Sequence, residues 1–351
     1  MHLNHLSIVL NRYTNRRIVF FFFVQPSICI EKSATAGNFS VPQNQQPKDD
    51  LNIFLAVNDG YAKQLCVTIV SVLANNQDEK IHFYVLSNDF SENSRQAVQN
   101  IYKLYKNWDV TYLQPDRKLF ENLNLTVKYI TIEGYYRYVI ADMAPHLDKA
   151  LYMDADIAVN GSLRPLWDVP LDGYYCSGVR DLCIERLNYK KRIGLTESDL
   201  YINSGVLLLN LKKIRQDKIT EKLFENTVKM SGKIFYQDQD VINITFKDKI
   251  KEVDSLYNFT SDNLKKEKSK ASRAVVIHYT GATKKPWKDD CRNKLQYVWQ
   301  RYALLNEMIG HFDEKELANF QADSCFTKSH TEKSFLKKSI CAVKKMFFSL
   351  Y

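Results

Sequence analysis

The sequence lacks several patterns that would assign it to a familiar class. Its seven cysteines are an odd number, and no two of them form the CxxC spacing of a zinc or redox site. Zinc-finger spacing, an RNA-recognition signature and a GxGxxG block are also missing, so no motif supports nucleic acid as a partner. We expect the cysteines to be free thiols in a reducing compartment.

The N-terminal region lacks a hydrophobic run long enough to cross a bilayer. Residues 18–24 are apolar, but a spanning helix needs about 20 such residues, and Pro26 interrupts the run. Basic residues before it and the small residues 34–36 after it fit a signal peptide; the alternatives are an interfacial anchor and a start codon placed too far upstream. Residues 33–50 have the composition of a linker. We therefore expect residues 1–50 to lie outside the folded domain.

Residues 311–351 form a basic extension. From Lys328 onward there are six lysines and one glutamate, within a chain whose net charge is +9. Apolar residues recur there on one helical stripe with lysines beside it, which predicts a basic amphipathic helix. Such a helix either lies on an anionic membrane surface or is a solvated or docked terminal helix. The stripe consists of Leu336, Ile340, Val343, Phe347 and Leu350.

Between these ends, residues 51–310 alternate short apolar runs with helical periodicity. This pattern predicts one α/β domain, Rossmann-like, with a mixed, mostly parallel sheet. Ligands of such sheets bind beyond the carboxyl ends of the strands. The predicted strands are residues 52–57, 81–86, 109–113, 174–181, 201–211 and 274–279, and the predicted helices are residues 61–74, 91–105, 212–230, 236–243 and 299–308.

Two aspartates follow one of the apolar runs. The segment LYMDAD at residues 151–156 ends in Asp154 and Asp156, which flank Ala155. At the end of a strand, side-chain alternation would point both carboxylates the same way, about 6–7 Å apart. Carboxylates that converge in this way repel each other unless a cation lies between them. The pair therefore indicates either a metal site or a solvated acidic turn.

Other blocks in a particular order favour the metal site. They are AVNDGY at 56–61, LYMDAD at 151–156, DLCIER at 181–186, YINSGVL at 201–207, DQD at 238–240 and HYTG at 278–281. This ordered set, within residues 51–302, resembles glycosyltransferase family 8, and its nearest branch is the bacterial lipopolysaccharide and lipooligosaccharide α-galactosyl- and α-glucosyltransferases. The resemblance implies a GT-A type of fold and a retaining, metal-dependent transfer from a nucleotide sugar.

The resemblance also implies the ligands of the metal, which are Asp154, Asp156 and His278. A divalent cation that bridges two phosphates stabilises the charge developing on a departing nucleotide diphosphate. Carboxylate oxygens together with one imidazole form a mixed ligand set that suits Mn²⁺ better than Mg²⁺. Outside its block, a histidine at a strand end would more often be a hydrogen-bonded structural residue.

Three residues after the first strand match positions that hold uracil and ribose in the family. They are Ala56, Asn58 and Tyr61, and Ala155 between the two aspartates is a further donor-binding position. Asn58 replaces the carboxylate usual in the family, but its amide can still pair with the edge of uracil, since it carries both a donor and an acceptor. Without a ligand, the segment Asn-Asp-Gly is simply a good turn.

Gly281 and a following lysine resemble the family's diphosphate clamp. There a small residue admits the phosphate and an ammonium group neutralises it. The chain is one residue longer here than the family pattern, so either Lys284 or Lys285 fills the role. The adjacent Pro-Trp pair favours Lys285.

Five residues match positions that contact the donor hexose. Gln239 lies under the anomeric carbon and is a poor nucleophile, so the resemblance implies front-face substitution in which the leaving phosphate takes the acceptor's proton. If a covalent intermediate were trapped, Asp238 is the carboxylate that we would expect to carry the sugar. Arg137 either pairs with Asp238 or reaches toward the sugar. The five are Arg137, Asp181, Asn203, Asp238 and Gln239.

The resemblance implies that the partners are UDP-galactose or UDP-glucose as donor and a lipopolysaccharide or lipooligosaccharide core as acceptor. Because nucleotide sugars are cytosolic in bacteria, the enzyme would be cytoplasmic and peripherally bound to the inner membrane through residues 328–351. Two alternatives remain. One is a metal-dependent hydrolase of nucleotide diphosphate sugars, and the other is a non-catalytic basic protein that binds nucleic acid or anionic lipid.

Overall fold

Short apolar segments form the strands of this protein. The structure is a computed structural model that describes residues 49–121, 123, 131–187 and 189–317. The strands are β1 (Leu51–Ala56), β2 (Ile81–Leu86), β3 (Trp108–Leu113), β4 (Lys149–Met153), β5 (Ile157–Val159), β6 (Cys176–Arg180), β7 (Ile202–Asn210), β8 (Ile250–Glu252) and β9 (Val276–His278).

Seven of these strands make one central sheet, in the order β3-β2-β1-β4-β7-β6-β8. Strands β3, β2, β1 and β4 are parallel, whereas β7 is antiparallel to both of its neighbours, and β6 pairs with β8 in parallel. The five inner strands are mostly buried, as expected when helices cover a sheet, whereas the edge strands β3 and β8 are buried only at their first residue. The predicted mixed, mostly parallel sheet is confirmed.

Helices connect the strands and cover the sheet. The α-helices are α1 (Ala62–Asn75), α2 (Glu92–Gln99), α3 (Ile140–Met143), α4 (Arg164–Trp167), α5 (Leu182–Arg186), α6 (Leu211–Gln216), α7 (Ile219–Lys229), α8 (Asp238–Thr245), α9 (Ser261–Lys266) and α10 (Gln296–His311). The 3-10 turns are Asp59–Tyr61, Asn100–Lys103, Arg117–Phe120, Ile132–Val139, Lys190–Ile193, Ser255–Tyr257, Lys268–Arg273 and Ala282–Lys284.

Two predicted helices differ from the observed ones. The helix expected over 212–230 is two helices, because Lys218 has a left-handed backbone (φ 51°) that interrupts the hydrogen-bond ladder between α6 and α7. The helix expected over 91–105 ends at residue 99 and continues as a 3-10 turn. Strands β5 and β8 were not predicted, since three residues are too few to show a period.

Strands β5 and β9 form a separate two-stranded antiparallel sheet, in which Ile157 pairs with His278. This sheet begins directly after the acidic segment and therefore joins it to the histidine. Helix α1 supports it from one side, because the buried Thr68 hydroxyl lies 2.9 Å from both the Ala155 and the Ile157 carbonyl oxygens. The hydroxyl of Ser71 accepts a hydrogen bond from the Val159 amide at 2.9 Å.

Residues 49–311 form one compact unit, and residues 312–317 are grouped apart from it. Within the described residues, no helix has the length and apolar character that crossing a bilayer requires. The four cysteines in this part of the chain, including buried Cys66 and Cys176, are free. The predictions for residues 1–48 and for the basic helix after Lys328 lie outside the described residues.

Candidate active site

The carboxyl ends of β1 and β4 place two predicted segments at one edge of the sheet. The strands are parallel neighbours, and Leu55 near the end of β1 pairs with Met153, the last residue of β4. The turn at 58–61 and Asp154 follow these residues directly. The second sheet brings His278 to the same edge, where ligands of α/β sheets bind.

Asp154, Asp156 and His278 converge on one point. His278 Nε2 lies 3.2 Å from Asp156 Oδ1 and 3.7 Å from Asp154 Oδ2. One ligand atom from each of the three residues lies within 4.8 Å of the others. The aspartates occupy the bend between β4 and β5 rather than a strand, so it is the bend that turns both carboxylates toward the imidazole.

The second oxygen of Asp154 is held by a buried arginine and a tyrosine. Asp154 Oδ1 accepts hydrogen bonds from Arg137 Nη2 at 3.0 Å and from the Tyr152 hydroxyl at 2.8 Å. The guanidinium also lies 4.3 Å above the ring of Tyr152, where a cation is favourable. These contacts leave Oδ2 directed at His278.

The second oxygen of Asp156 pairs with Lys285. Burial acts to raise the pKa of Asp156, but Lys285 and then His278 outweigh it and hold that pKa well below its usual range. Burial acts to lower the pKa of Lys285, and Asp156 raises it above its usual value. Both groups are therefore charged at neutral pH. Lys284 points elsewhere, toward Ser261.

Gly205 on β7 leaves the space that the His278 and Asp154 side chains occupy. A Cβ atom at this position would lie 2.2 Å from His278 Cε1 and 2.6 Å from Asp154 Oδ2. Its carbonyl oxygen also accepts a hydrogen bond from the Asp154 amide at 2.9 Å. Glycine is therefore required by the close approach of β7 to these two side chains.

Beside this cluster, three polar side chains form a hydrogen-bonded network. Gln239 Oε1 accepts from Asn203 Nδ2 at 3.0 Å and from the Ser204 amide at 3.1 Å. Gln239 Nε2 donates to Asp181 Oδ2 at 3.1 Å, and Asn203 Nδ2 lies 3.2 Å from the same oxygen. Because the Ser204 amide can only donate, the amide orientation of Gln239 is defined.

Arg137 joins this network to the acidic cluster. Its Nε lies 3.3 Å from Asp238 Oδ2, while its Nη2 binds Asp154, so the ion pair proposed for Arg137 and Asp238 is present. Both side chains of this pair are buried. Burial raises the pKa of Asp238 to about 6, although Arg137 acts in the opposite direction.

Asp240 fixes the start of helix α8, which carries Asp238 and Gln239. Its carboxylate accepts hydrogen bonds from the hydroxyls of Tyr189 at 2.6 Å and Tyr201 at 2.5 Å, and from two backbone amides of the preceding turn. The preceding residue, Gln237, is completely buried with φ of 47°. Strained backbone of this kind persists only where surrounding contacts hold it.

The residues predicted to hold the nucleoside line the neighbouring edge. Ala56 ends β1, Asn58 precedes the 3-10 turn 59–61, and Tyr61 is 38% exposed. The ring of Tyr61 lies edge-on to that of Trp287, with centroids 6.0 Å apart. An exposed aromatic ring near Lys285 suits a planar base attached to phosphate. Gly281 has φ of 85°, which favours glycine, with open space around its Cα.

Comparison with known proteins identifies the family to which these residues belong. The profile of Glycosyl transferase family 8 matches residues 52–291, which include every site residue named above. The chain belongs to glycosyl transferase family 8. The resemblance inferred from the ordered sequence blocks is therefore confirmed, and the protein is an enzyme that transfers a sugar residue.

Individual members of family 8 are similar over most of the chain. A Haemophilus influenzae protein named for glycosyltransferase activity is 33% identical over 74% of this chain and 78% of its own. The lipopolysaccharide 1,2-glucosyltransferase of Escherichia coli is 27% identical over 75% of this chain and 78% of its own. The crystal structure of the galactosyltransferase LgtC with donor and acceptor sugar analogues is 32% identical, with a TM-score of 0.66, over 75% of this chain and all of that one.

Several residues of the site were not assigned a role from the sequence. Tyr152, Gly205, Asp240 and Asn258 contribute through close packing or hydrogen bonds between segments that are distant in the chain. The DQD and YINSGVL blocks include Asp240 and Gly205, so their positions were visible. Asn258 lies in none of the sequence blocks, so its role became visible through its burial and hydrogen bonds in the structure.

We expect Gly205→Ala to impair metal binding. The added methyl group would overlap His278 and Asp154, so one of these ligands must move. Forcing extra volume into a packed site typically costs about 1–3 kcal/mol of stability. Calorimetric titration with Mn²⁺ should show an affinity at least about tenfold weaker, as is usual when ligand geometry is disturbed.

Gly310→Ala is the matched control for this substitution. Gly310 lies in α10, and a Cβ there would meet no atom within 4 Å. The control should bind Mn²⁺ as the unsubstituted protein does. Equal metal affinity in the two variants would contradict the assignment of Gly205.

We expect Asp238 to make stability depend on pH. Its pKa rises from 3.8 to about 6 on folding, so the folded state binds the proton more tightly, and stability contributed by the neutral acid is lost as pH rises from about 4 to above 6. The loss is at most about 3 kcal/mol, at about 1.36 kcal/mol for each pKa unit. Urea unfolding of Asp238→Asn should lack this decline relative to the unsubstituted protein.

Asp217→Asn provides a comparison in which the change of stability with pH has the opposite sign. Lys213 and then Tyr175 lower the pKa of Asp217, so its contribution is lost as pH falls. A difference between Asp238→Asn and the unsubstituted protein that is constant with pH would refute the assignment of Asp238.

Proposed function

We propose that this enzyme transfers galactose or glucose, with retention of anomeric configuration, from a UDP-sugar to a lipopolysaccharide or lipooligosaccharide core. The observation that carries the proposal is the convergence of Asp154, Asp156 and His278 beside the ammonium group of Lys285. Carboxylates, imidazole and ammonium placed together match the charges of a metal-bound diphosphate. Galactose and glucose differ at one hydroxyl group, and both activities occur by name among the relatives.

The convergent residues fit a divalent cation, for which we propose Mn²⁺. Asp154 Oδ2, Asp156 Oδ1 and His278 Nε2 supply two hard oxygens and one nitrogen, and this mixed set favours Mn²⁺ over Mg²⁺. When bound, the cation would stabilise the negative charge that develops on the departing UDP. Because Gly205 has no side chain, no Cβ atom collides with His278 or Asp154.

Lys285 would neutralise the diphosphate of the donor. It is half-buried, charged, and already placed against Asp156, so a short movement of its flexible side chain would transfer it to a phosphate oxygen. Gly281 opens the loop that precedes it. The edge-on pair of Tyr61 and Trp287 would accept the uracil ring, with Asn58 pairing with its edge.

Gln239 would act at the anomeric carbon. Its carbonyl oxygen is oriented by Asn203 and the Ser204 amide, and it carries no charge with which to form a stable covalent intermediate. This supports front-face substitution, in which the leaving phosphate accepts the proton of the acceptor hydroxyl. Asp238 is held by Arg137 and Ser204, which favours a positioning role over nucleophilic attack.

The proposal also includes where in the cell the enzyme acts. Nucleotide sugars are cytosolic in bacteria, so we propose a cytoplasmic enzyme that works at the inner membrane on a growing glycolipid. The apolar stripe after Lys328, with the lysines beside it, would supply peripheral contact with anionic lipid.

A donor screen tests the proposed reaction. Purified enzyme with Mn²⁺ is given UDP-galactose or UDP-glucose, with and without lipooligosaccharide acceptor, and both UDP release and product are measured. We expect acceptor-dependent transfer from one donor, and its loss with a chelator and in Asp156→Ala. Release that is equally fast without acceptor would identify a hydrolase, and failure to bind UDP with Mn²⁺ would refute the proposal.

Paired lysine substitutions test the diphosphate contact. We expect Lys285→Met to raise KM for the UDP-sugar at least about tenfold, as for loss of a charged hydrogen bond to phosphate. Lys284→Met should have little effect, because Lys284 contacts Ser261 instead. Steady-state kinetics with variable donor measures both, and the reverse order of effects would assign the role to Lys284.

A further inference from the structure

Asn258 is a completely buried side chain that lies between the metal ligand His278 and the sugar-side residue Asn203. Its Oδ1 lies 2.9 Å from His278 Nδ1, and its Nδ2 donates to Asn203 Oδ1 at 2.9 Å. The Asn258 amide group thus connects the convergent ligands to the hydrogen-bonded network around Gln239.

A backbone amide determines the direction of the hydrogen bonds that run from Gly205 through Asn203 and Asn258 to His278. The Gly205 N–H can only donate, and it lies 3.1 Å from the Asn203 side-chain atom that must therefore be the oxygen. That oxygen requires a donor from Asn258, which is its Nδ2. Asn258 then presents its own oxygen to His278, so His278 Nδ1 must carry a proton.

Protonation at Nδ1 leaves Nε2 as the nitrogen able to bind a metal. Nε2 is also the atom that faces Asp154 and Asp156. Histidine ligands of metals commonly donate their other ring N–H to a fixed oxygen, which sets both tautomer and ring orientation. In this protein the fixed oxygen belongs to an asparagine rather than to a carboxylate or a backbone carbonyl.

The backbone around Asn258 is held to the strand that carries the histidine. Phe259 N donates to Val276 O at 2.7 Å, and His278 N donates to Phe259 O at 3.1 Å. Asn258 follows the 3-10 turn 255–257, in which the Leu256 amide donates to the Asp254 side chain at 3.0 Å. The amide group therefore cannot drift away from the imidazole without breaking these bonds.

We propose that Asn258 is a positioning residue that holds His278 in its Nδ1-protonated tautomer, with Asn203 and the Gly205 amide setting the direction of the relay. The tautomer exists without any ligand. Its consequence for Mn²⁺ affinity rests on the proposed function.

The first test measures the tautomer in the metal-free protein. The full chain, labelled with ¹⁵N in its seven histidines, is studied by ¹⁵N–¹H NMR at a pH where the His278 ring is neutral, and His278→Gln identifies its signals. We expect Nδ1 to be protonated in the unsubstituted protein. A ring protonated only at Nε2 would overturn the proposal without any substitution.

Two variants then separate the hydrogen bond from the packing. Asn258→Leu removes the acceptor and should give a mixed or reversed tautomer, whereas Asn258→Asp keeps an acceptor oxygen and should preserve the original one. With UDP present, electron paramagnetic resonance of free Mn²⁺ should show an affinity about 10–100-fold weaker for the leucine variant, with recovery to within about threefold for the aspartate variant.

Asn76→Leu is the matched control, because Asn76 is a buried asparagine at the end of α1 that bonds Val72 and Leu163 instead. It should leave both the tautomer and the Mn²⁺ affinity unchanged. An Asn258→Leu protein with an unchanged tautomer would overturn the proposal. If the unsubstituted protein does not bind Mn²⁺ but His278 is protonated at Nδ1, the proposed metal fails and the positioning role stands.

Discussion

Repulsion between two neighbouring carboxylates is the constraint on which the arrangement of the site depends. Asp154 and Asp156 both face His278 from a single bend, at a distance where two unbalanced negative charges would be costly. The protein offsets them separately, with Arg137 on the first and Lys285 on the second. Each cation binds the outer oxygen of its partner, so the inner oxygens remain available to a third positive charge.

The two cations differ in the contacts that hold them, and this difference suits them to different tasks. Arg137 is buried, stacked over a tyrosine ring and shared with Asp238, so it is part of the fixed framework. Lys285 lies in a loop after β9, pairs with Asp156 and lies 5.7 Å from the centroid of the Trp287 ring, at the end of a long aliphatic side chain. A planar, multiply bonded guanidinium orders its surroundings, whereas an ammonium on a flexible stem can change partners.

Local sequence determined the parts of the site that depend on residue type and order. The LYMDAD and HYTG blocks were sufficient to predict that Asp154, Asp156 and His278 belong to one site, and the apolar runs were sufficient to predict the mixed sheet. The choice of Lys285 over Lys284 rested on a weaker signal, since the two lysines are adjacent and only the neighbouring Pro-Trp pair favoured the second. The structure shows their different contacts.

What sequence could not reveal arises from contact between distant segments. Gly205 matters because β7 passes under the imidazole, and Asn258 matters because a turn from another part of the chain meets β9. Neither contact produces a periodic pattern in the sequence. The break at Lys218 is similar, because a lysine has no intrinsic preference for the left-handed backbone that it adopts there.

The pairing of β5 with β9 also bears on how the protein is made. The acidic bend leaves the ribosome well before the strand that carries the imidazole, and β5 has its partner only after β9 has been synthesised. A nascent chain therefore offers a cation two carboxylates without nitrogen, which is a weak and unselective chelator. The cluster of two carboxylates and one imidazole is therefore complete only after residue 278, late in the synthesis of the compact unit that ends at residue 311.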